Sequence, residues 1–172
     1  MNRRIKEIVL ICVSVLTIAT SLINCSSGEC LDNKNSLPLA GFYSSEVSPQ
    51  QISIDSISVY GLEVPEKSRL LDSVRNVHNV YLPFRIDEPT TTYVFDYHQT
   101  HISDSRLNDT IAFSYDIIPF FVSKECGAIY KYKIKNIVCT KHLIDSVVCS
   151  SDVIDNVDME NLKIYFRVLA EE

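Results

Sequence analysis

The chain has 172 residues, of which 46% are hydrophobic and 22% are charged, and its formal net charge is −6. This length suits one domain rather than two, and the apolar content is too high for a disordered chain. The acidic balance argues against a nucleic-acid partner, because phosphate binding requires a basic surface.

The first 24 residues have the parts of a secretory signal peptide. Arg3, Arg4 and Lys6 form a basic start, and a mostly apolar run from Ile8 to Ile23 follows it. Small polar residues follow the apolar run, as in the cleavage region of a signal peptide. The run is shorter than the roughly 20 residues that span a bilayer, which makes a transmembrane helix the weaker alternative.

Cys25 ends the stretch Leu22-Ile23-Asn24-Cys25, which resembles a bacterial lipobox. In a lipobox the cysteine thiol is acylated and becomes the new N-terminus. Leu22 fits this pattern, whereas Asn24 departs from it, because Gly, Ala or Ser is usual there. The alternative is an ordinary signal peptide that leaves Cys25 as a disulfide partner. We predict lipidation of Cys25, since acyl chains can hold a soluble domain at a membrane.

The prediction divides the chain into a lipoprotein signal peptide at 1–24, a flexible tether at 25–36 and a single β-domain at 37–172. Removing the signal leaves 13 basic and 21 acidic residues and a net charge of −8. A surface this acidic does not attract anionic lipid head groups. Attachment to the membrane is therefore expected through the N-terminal lipid alone.

The rest of the chain predicts β-strands. Several segments alternate apolar and polar residues with a period of two, which is typical of half-buried strands. The apolar positions of the clearest segments are Tyr93, Phe95 and Tyr97; Ile111, Phe113 and Tyr115; Tyr130, Tyr132 and Ile134; and Leu162, Ile164, Phe166 and Val168. Many short strands of this kind favour an all-β domain, either an antiparallel β-sandwich or an open barrel.

Asp-Ser dipeptides mark breaks in this pattern. The apolar phase changes at Asp55-Ser56, and a one-residue slip of this kind requires a bulge or a turn. The same or a similar dipeptide recurs at Asp72-Ser73, Asp104-Ser105, Asp109-Thr110 and Asp145-Ser146. Because Asp and Ser bond their own backbone at turns, we interpret these pairs as structural rather than as active-site carboxylates.

Residues 66–77 are ambiguous. Their apolar positions have helical spacing, and Pro65-Glu66 could begin a helix. The stretch from Ser68 to Phe84 can also form two short strands around Asn76. The strand pattern on both sides favours the two strands.

Four cysteines remain once Cys12 leaves with the signal and Cys25 is lipidated. They are Cys30, Cys126, Cys139 and Cys149, which allow three pairings. An exported protein can keep disulfides, and no C-x-x-C motif supports a zinc or thioredoxin-type site. Cys139 and Cys149 are expected to be buried free thiols.

Two groups of polar residues could bind a metal. His98 and His101, flanked by Asp96 and Asp104, have zinc-ligating side chains, but the histidines are only three positions apart at a strand end. We expect solvated loop histidines there.

The second group is an acidic loop that could take calcium. Its members are Asp152, Asp155, Asp158 and Glu160. It lacks the alternating acids and central Gly of an EF-hand. The sequence also contains no G-x-S-x-G elbow and no phosphate-binding Gly motif. We therefore predict no metal site, no cofactor site and no catalytic residue.

Short segments spread over most of the mature chain resemble a family of small, uncharacterised lipoproteins of Bacteroides-type bacteria, a domain of unknown function. The segments are Cys30, Gly41-Phe42-Tyr43, Leu82-Pro83-Phe84, Asp109-Thr110-Ile111, Phe120 to Gly127, Tyr130, His142 to Val147, and Glu160 to Phe166. The resemblance implies an all-β domain and a disulfide between Cys30 and Cys126. It implies no activity.

These observations predict a lipid-anchored protein of the cell envelope, held at the outer membrane on its periplasmic or surface face. Its biochemical activity is unknown, and it is expected to act as a binding or structural module with a protein or glycan partner. The alternative is an envelope hydrolase or a metal-dependent enzyme.

Overall fold

A computed structural model describes residues 36–47, 50–62, 69–99, 104–124 and 127–167, with only the backbone at positions 122 and 123. The described residues form ten β-strands and one 3₁₀ turn, Ser105–Leu107, which confirms the predicted all-β class. Among them, no helix is long and apolar enough to cross a membrane.

The larger sheet has six antiparallel strands and curls into a half-barrel. In chain order these strands are β2 (Ile57–Gly61), β3 (Arg69–Val74), β5 (Thr90–Tyr97), β6 (Asp109–Ser123), β7 (Gly127–Cys139) and β9 (Val153–Ile154). Their spatial order is β3-β2-β5-β6-β7-β9. Strands β6 and β7 form a long hairpin at the centre of the chain.

The second sheet has four strands in the order β4-β1-β10-β8. They are β1 (Leu39–Ser44), β4 (Asn79–Tyr81), β8 (Ile144–Cys149) and β10 (Glu160–Phe166). Strand β10 contains the predicted apolar positions Leu162, Ile164 and Phe166, and all three side chains are fully buried, as predicted.

One strand pair differs from the predicted antiparallel arrangement. Strands β1 and β10 run parallel, with Leu39 opposite Glu160 and Ser44 opposite Phe166. The alternation of apolar residues determines which face of a strand is buried, but it carries no information on the direction of the neighbouring strand. The sequence pattern therefore could not predict this pair.

The core lies between the two sheets. Phe42 of β1 packs against Phe166 of β10 with ring centroids 5.2 Å apart, and it meets Phe95 of the other sheet at 6.4 Å. The inward residues predicted for β5 and β6 are all buried. Four of the nine tyrosines, Tyr93, Tyr97, Tyr115 and Tyr132, belong to this core.

The phase change at Asp55-Ser56 has a physical cause in the backbone. Ser56 has a φ of 53°, in the left-handed region that non-glycine residues seldom adopt. Ile54 before it forms an isolated bridge with Val77, and Ile57 after it begins β2. The predicted break between the two apolar phases is therefore confirmed.

The stretch from 66 to 77 forms no helix in its described part, from Arg69 onward. Strands β3 and β4 lie on either side of Asn76, whose φ is 54°. The predicted pair of short strands around this residue is confirmed.

Candidate functional site

The predicted lipidation and disulfide residues, Cys25, Cys30 and Cys126, lie outside the described residues. Cys139 and Cys149 are free thiols, as expected, although both are only half-buried. Burial raises the pKa of each thiol above its usual value. Because the thiolate is the reactive form, neither environment favours a nucleophilic cysteine.

Three residues with the chemistry of a hydrolytic triad come together at the end of β5. The Nε2 atom of His98 lies 2.9 Å from Ser58 Oγ and 3.6 Å from Asp96 Oδ2. In a catalytic triad the acid contacts the other ring nitrogen, so that the imidazole can accept the serine proton. Here both partners contact Nε2, and the arrangement does not match that relay.

Ser58 itself has a structural role. Its side chain is fully buried, and Oγ accepts hydrogen bonds from Ser73 N at 2.9 Å and Arg69 Nη1 at 3.5 Å. Ser73, in β3, has a φ of 49°, and the bond from its N–H to Ser58 supports this strained backbone conformation. A hydroxyl enclosed by these donors cannot reach a substrate carbonyl.

The predicted candidate metal groups do not converge in the described part of the chain. His101 lies outside it, and no group of three His, Cys, Asp or Glu residues there could hold a metal ion. In the acidic loop, Asp158 accepts a bond from the Tyr81 hydroxyl at 2.9 Å. Asp155 accepts one from Val157 N at 3.1 Å, in a local turn. These carboxylates make contacts within the fold.

Glu160, at the end of the acidic loop, lies over Gly41. Its Oε1 accepts a hydrogen bond from the Tyr43 hydroxyl at 2.8 Å. Burial and this carboxylate raise the pKa of Tyr43 to about 12. A Cβ at position 41 would clash with the Glu160 carboxylate, so the glycine leaves room for the carboxylate in this position beside Tyr43.

Among the described residues, Asp109 at the start of β6 accepts the most side-chain hydrogen bonds, and the sequence pattern marked it only as half of an Asp-Thr pair. Its carboxylate is fully buried. Thr140 Oγ1 and His142 N donate to Oδ1 at 2.7 and 2.9 Å. Leu143 N, Ile144 N and the Tyr97 hydroxyl donate to Oδ2 at 2.8, 2.9 and 3.1 Å.

These donors come from both sheets and from the loop between β7 and β8. Asp109 therefore fixes the crossing from the six-stranded sheet to the four-stranded one. The Asp-Thr signal in the sequence indicated a turn-type residue, and the structural interpretation is confirmed. The number of donors could not be predicted, because most of them are backbone N–H groups more than 30 positions away.

The feature best suited to binding is an apolar groove between the edge strands β3 and β4. It has a volume of about 410 Å³. Its apolar lining comes from Leu37, Leu70, Leu71, Val80, Tyr81 and Pro83. A smaller cavity of about 150 Å³ shares Leu37 and Pro83 with it and extends toward Tyr130. The groove can therefore bind an apolar group. The residues that line it include no pair of side chains that could act as a general acid and a general base.

The second exposed feature is the distal half of the β6–β7 hairpin. Phe120 and Phe121 are 43% and 65% exposed, and Ile118 and Tyr130 are also exposed. Lys131 places its ammonium 4.3 Å from the centre of the Phe120 ring. The sequence pattern places Tyr130 on the inward face of its strand together with Tyr132. At this end of the hairpin the Tyr130 side chain is exposed to solvent instead.

A family model described as a family of unknown function (DUF6452) matches residues 56–166, which span β2 to β10. No curated protein and no solved structure gives a significant match to the chain.

Proposed function

We propose that this chain, which belongs to the family of unknown function DUF6452, is a lipid-anchored module of a bacterial cell envelope. It acts by binding or as a structural part, and not as a catalyst. The family description names no activity. The proposal therefore depends on the N-terminal sequence and on the surface of the β-domain.

The observation that carries the proposed location is the N-terminal sequence. A basic start, an apolar run and Cys25 after Leu22-Ile23-Asn24 have the order of a lipoprotein signal. The resemblance to small lipoproteins of Bacteroides-type bacteria supports the same location, at the outer membrane. One acyl chain alone binds a membrane only weakly, so stable anchoring requires more than one chain or a second contact.

Fractionation of cells tests the anchor. The wild-type chain is expected in the membrane fraction, and Cys25→Ser in the soluble fraction, because the acylated thiol is lost. Cys12→Ser and Cys30→Ser are the matched controls, and both should remain in membranes. A Cys25→Ser variant that stays in membranes after a high-salt wash contradicts the proposal.

A disulfide between Cys30 and Cys126 is part of the same proposal. Ser36 Oγ donates to Tyr130 O at 2.6 Å, so the last residue of the predicted tether contacts β7 four positions beyond Cys126. The six residues from Cys30 to Ser36 extend at most about 22 Å, which makes the pairing sterically accessible. In the chain-entropy model such a crosslink contributes about 4–5 kcal/mol.

Peptide mapping of the unreduced protein decides this pairing. A peptide that links Cys30 to Cys126 is the expected result. A peptide that links Cys30 to Cys139 or Cys149 would show that the partner is wrong, as would alkylation of Cys126 without prior reduction.

The apolar groove supports binding as the mode of action. A pocket of about 410 Å³ is within the size range of ligand sites, which are mostly apolar with few polar groups. The hydrolase alternative has no support from Ser58, whose hydroxyl is enclosed, or from the contacts of His98 through Nε2.

Photocrosslinking in intact cells tests the groove. Tyr81 lines it and is 42% exposed, and p-benzoyl-phenylalanine at this position keeps an aromatic side chain. We expect one defined adduct with a protein or glycan. The same amino acid at Val148, an exposed position of β8 outside the groove lining, is the control. Equal adducts at both positions, or none at Tyr81, argue against a binding groove.

A further inference from the structure

We propose that the distal part of the β6–β7 hairpin is a second membrane contact, in which Phe120 and Phe121 enter the interface of the bilayer that holds the N-terminal lipid. This inference rests on the proposed lipid anchor. In this proposal the folded domain itself contacts the bilayer, whereas the sequence predicts attachment through the N-terminal lipid alone.

The first support is the exposure of large apolar side chains on a narrow element. Phe121 is paired with Ala128 across the hairpin, and Phe120 with Ile129. Both phenylalanines remain largely exposed, together with Ile118. Because successive side chains of a strand point to opposite faces, Phe120 shares one face of the hairpin with Ile118 and Phe121 lies on the other. Apolar side chains exposed on both faces of a narrow element are uncommon on a soluble surface unless another surface covers them. Phenylalanine is one of the side chains that interfacial elements bury at the boundary of head groups and acyl chains.

The second support is local charge. Residues 117–133 contain three lysines and one glutamate, in a chain whose net charge is −6. Lys124, Lys131 and Lys133 therefore make the hairpin positive although the whole molecule is acidic. Each lysine near an anionic bilayer strengthens binding by about fivefold. The expectation from net charge, that head groups are not attracted, does not hold for this element.

The cation on the outer face of the hairpin is well placed for a membrane. Lys131 lies over the Phe120 ring, so its ammonium and the aromatic group belong to one surface. At an interface, a lysine of this kind buries its alkyl stem and extends its charge to the phosphate layer. The aromatic ring beside it can then enter the acyl boundary.

The third support is the entry of the tether. Ser36 is buried and bonded to the Tyr130 carbonyl, so the chain leaves the domain beside this hairpin and not at the opposite end of the sheet. Ser36 follows Cys25 by eleven positions, which limits the distance between the two residues to at most about 40 Å. A lipid on Cys25 therefore keeps the hairpin near the bilayer and raises its effective concentration there.

The test uses the absence of tryptophan from this chain. Phe121→Trp introduces a single tryptophan at the hairpin, which is excited at 295 nm to avoid the nine tyrosines. The full chain is reconstituted in vesicles of phosphatidylethanolamine and phosphatidylglycerol with brominated acyl chains. We expect loss of at least about half of the emission, because interfacial groups lie roughly 5–10 Å into the head-group and acyl boundary.

Val138→Trp is the matched control. Val138 is 57% exposed on the same β7 strand, but it lies about 33 Å along the strand from Ala128, at the base of the hairpin. Its emission should not be quenched. Equal quenching at positions 121 and 138, or none at 121, overturns the proposal even when the chain is lipid-anchored.

A second arm separates this proposal from the anchor. The Cys25→Ser chain with Phe121→Trp is titrated with vesicles that contain or lack phosphatidylglycerol, and a blue shift that requires the anionic lipid is expected. Adding Lys131→Gln should weaken the apparent affinity about fivefold, whereas Lys141→Gln, at the base of the hairpin, should not. No lipid-dependent shift in this arm overturns the proposal, whatever holds the wild-type chain in membranes.

A protein partner on the same surface is distinguishable. If the emission of Phe121→Trp is already shifted to the blue without lipid and returns on dilution, a second copy of this chain covers the hairpin, and the membrane contact is wrong. Urea midpoints equal to wild type confirm that each variant is folded.

Discussion

Asp109 shows how a single buried carboxylate can determine the connection between two sheets. A charged group at full burial is strongly disfavoured unless hydrogen bonds replace its hydration. Here five donors do so, three of them backbone N–H groups of consecutive residues from His142 to Ile144. The carboxylate thereby accepts the backbone N–H groups at the end of the loop between β7 and β8, where β8 begins.

Asp109→Asn should destabilise the domain by about 3–5 kcal/mol. An amide NH₂ would face at least one N–H donor in either orientation, and each buried donor that loses its acceptor costs about 1–3 kcal/mol. Urea denaturation measures the loss. Asp145→Asn is the control, because its ion pair with Arg167 is partly exposed and contributes less than about 1 kcal/mol. Similar losses for the two variants would contradict the role assigned to Asp109.

At the scale of elements, period-two alternation identified the inward residues of β5, β6 and β10 correctly. The pattern predicts burial well where both sheets cover a strand, because every second side chain then enters one core. It failed at Tyr130, where the hairpin carries exposed apolar side chains. Sequence alternation does not indicate where a strand passes beyond the sheet that would cover it.

The inward face of β10 can be tested by a pair of neighbouring residues. Phe166→Ala should cost about 3–5 kcal/mol, since the ring is fully buried against Phe42. Arg167→Ala should cost less than about 1 kcal/mol, because its bonds to Asp145 and the Lys141 carbonyl are partly exposed. Urea melts compare the two variants. A larger loss for Arg167→Ala would mean that the opposite face of β10 is the buried one.

For the whole molecule, fold class followed from the sequence more readily than the candidate site. The all-β class depends on local alternation, which each segment carries by itself. The groove depends on which edge strand of each sheet lines it, here β3 of the larger sheet and β4 of the smaller one. That assignment follows from the strand order, and no residue in either strand indicates it.

The buried tyrosines of the core should make the whole domain less stable at alkaline pH. Burial raises the pKa of Tyr132 to about 12 and raises those of Tyr93 and Tyr97 as well. In the unfolded chain these phenols ionise near pH 10, so between pH 10 and 12 the unfolded state binds fewer protons than the folded state. The contribution of these tyrosines to the free energy of unfolding should therefore be fully present below pH 10 and should be lost as the pH rises above it.

Urea melts at a series of pH values from 9 to 12, with absorbance at 295 nm to follow tyrosinate, measure this decline. Tyr132→Phe removes one of the shifted phenols, and its decline above pH 10 should be shallower than that of wild type. An unchanged slope would show that Tyr132 ionises equally in both states.

Strands β1 and β10 lie side by side although they come from opposite ends of the domain. Tyr43 and Glu160, which share a hydrogen bond, are 117 positions apart. A ribosome that adds about 5–20 residues per second completes β10 about 6–23 s after β1. Pairing between such distant segments is also slow, because a long loop must close first. The four-stranded sheet can therefore form only after β10 has been synthesised, and until then β1 lacks its parallel neighbour in the nascent chain.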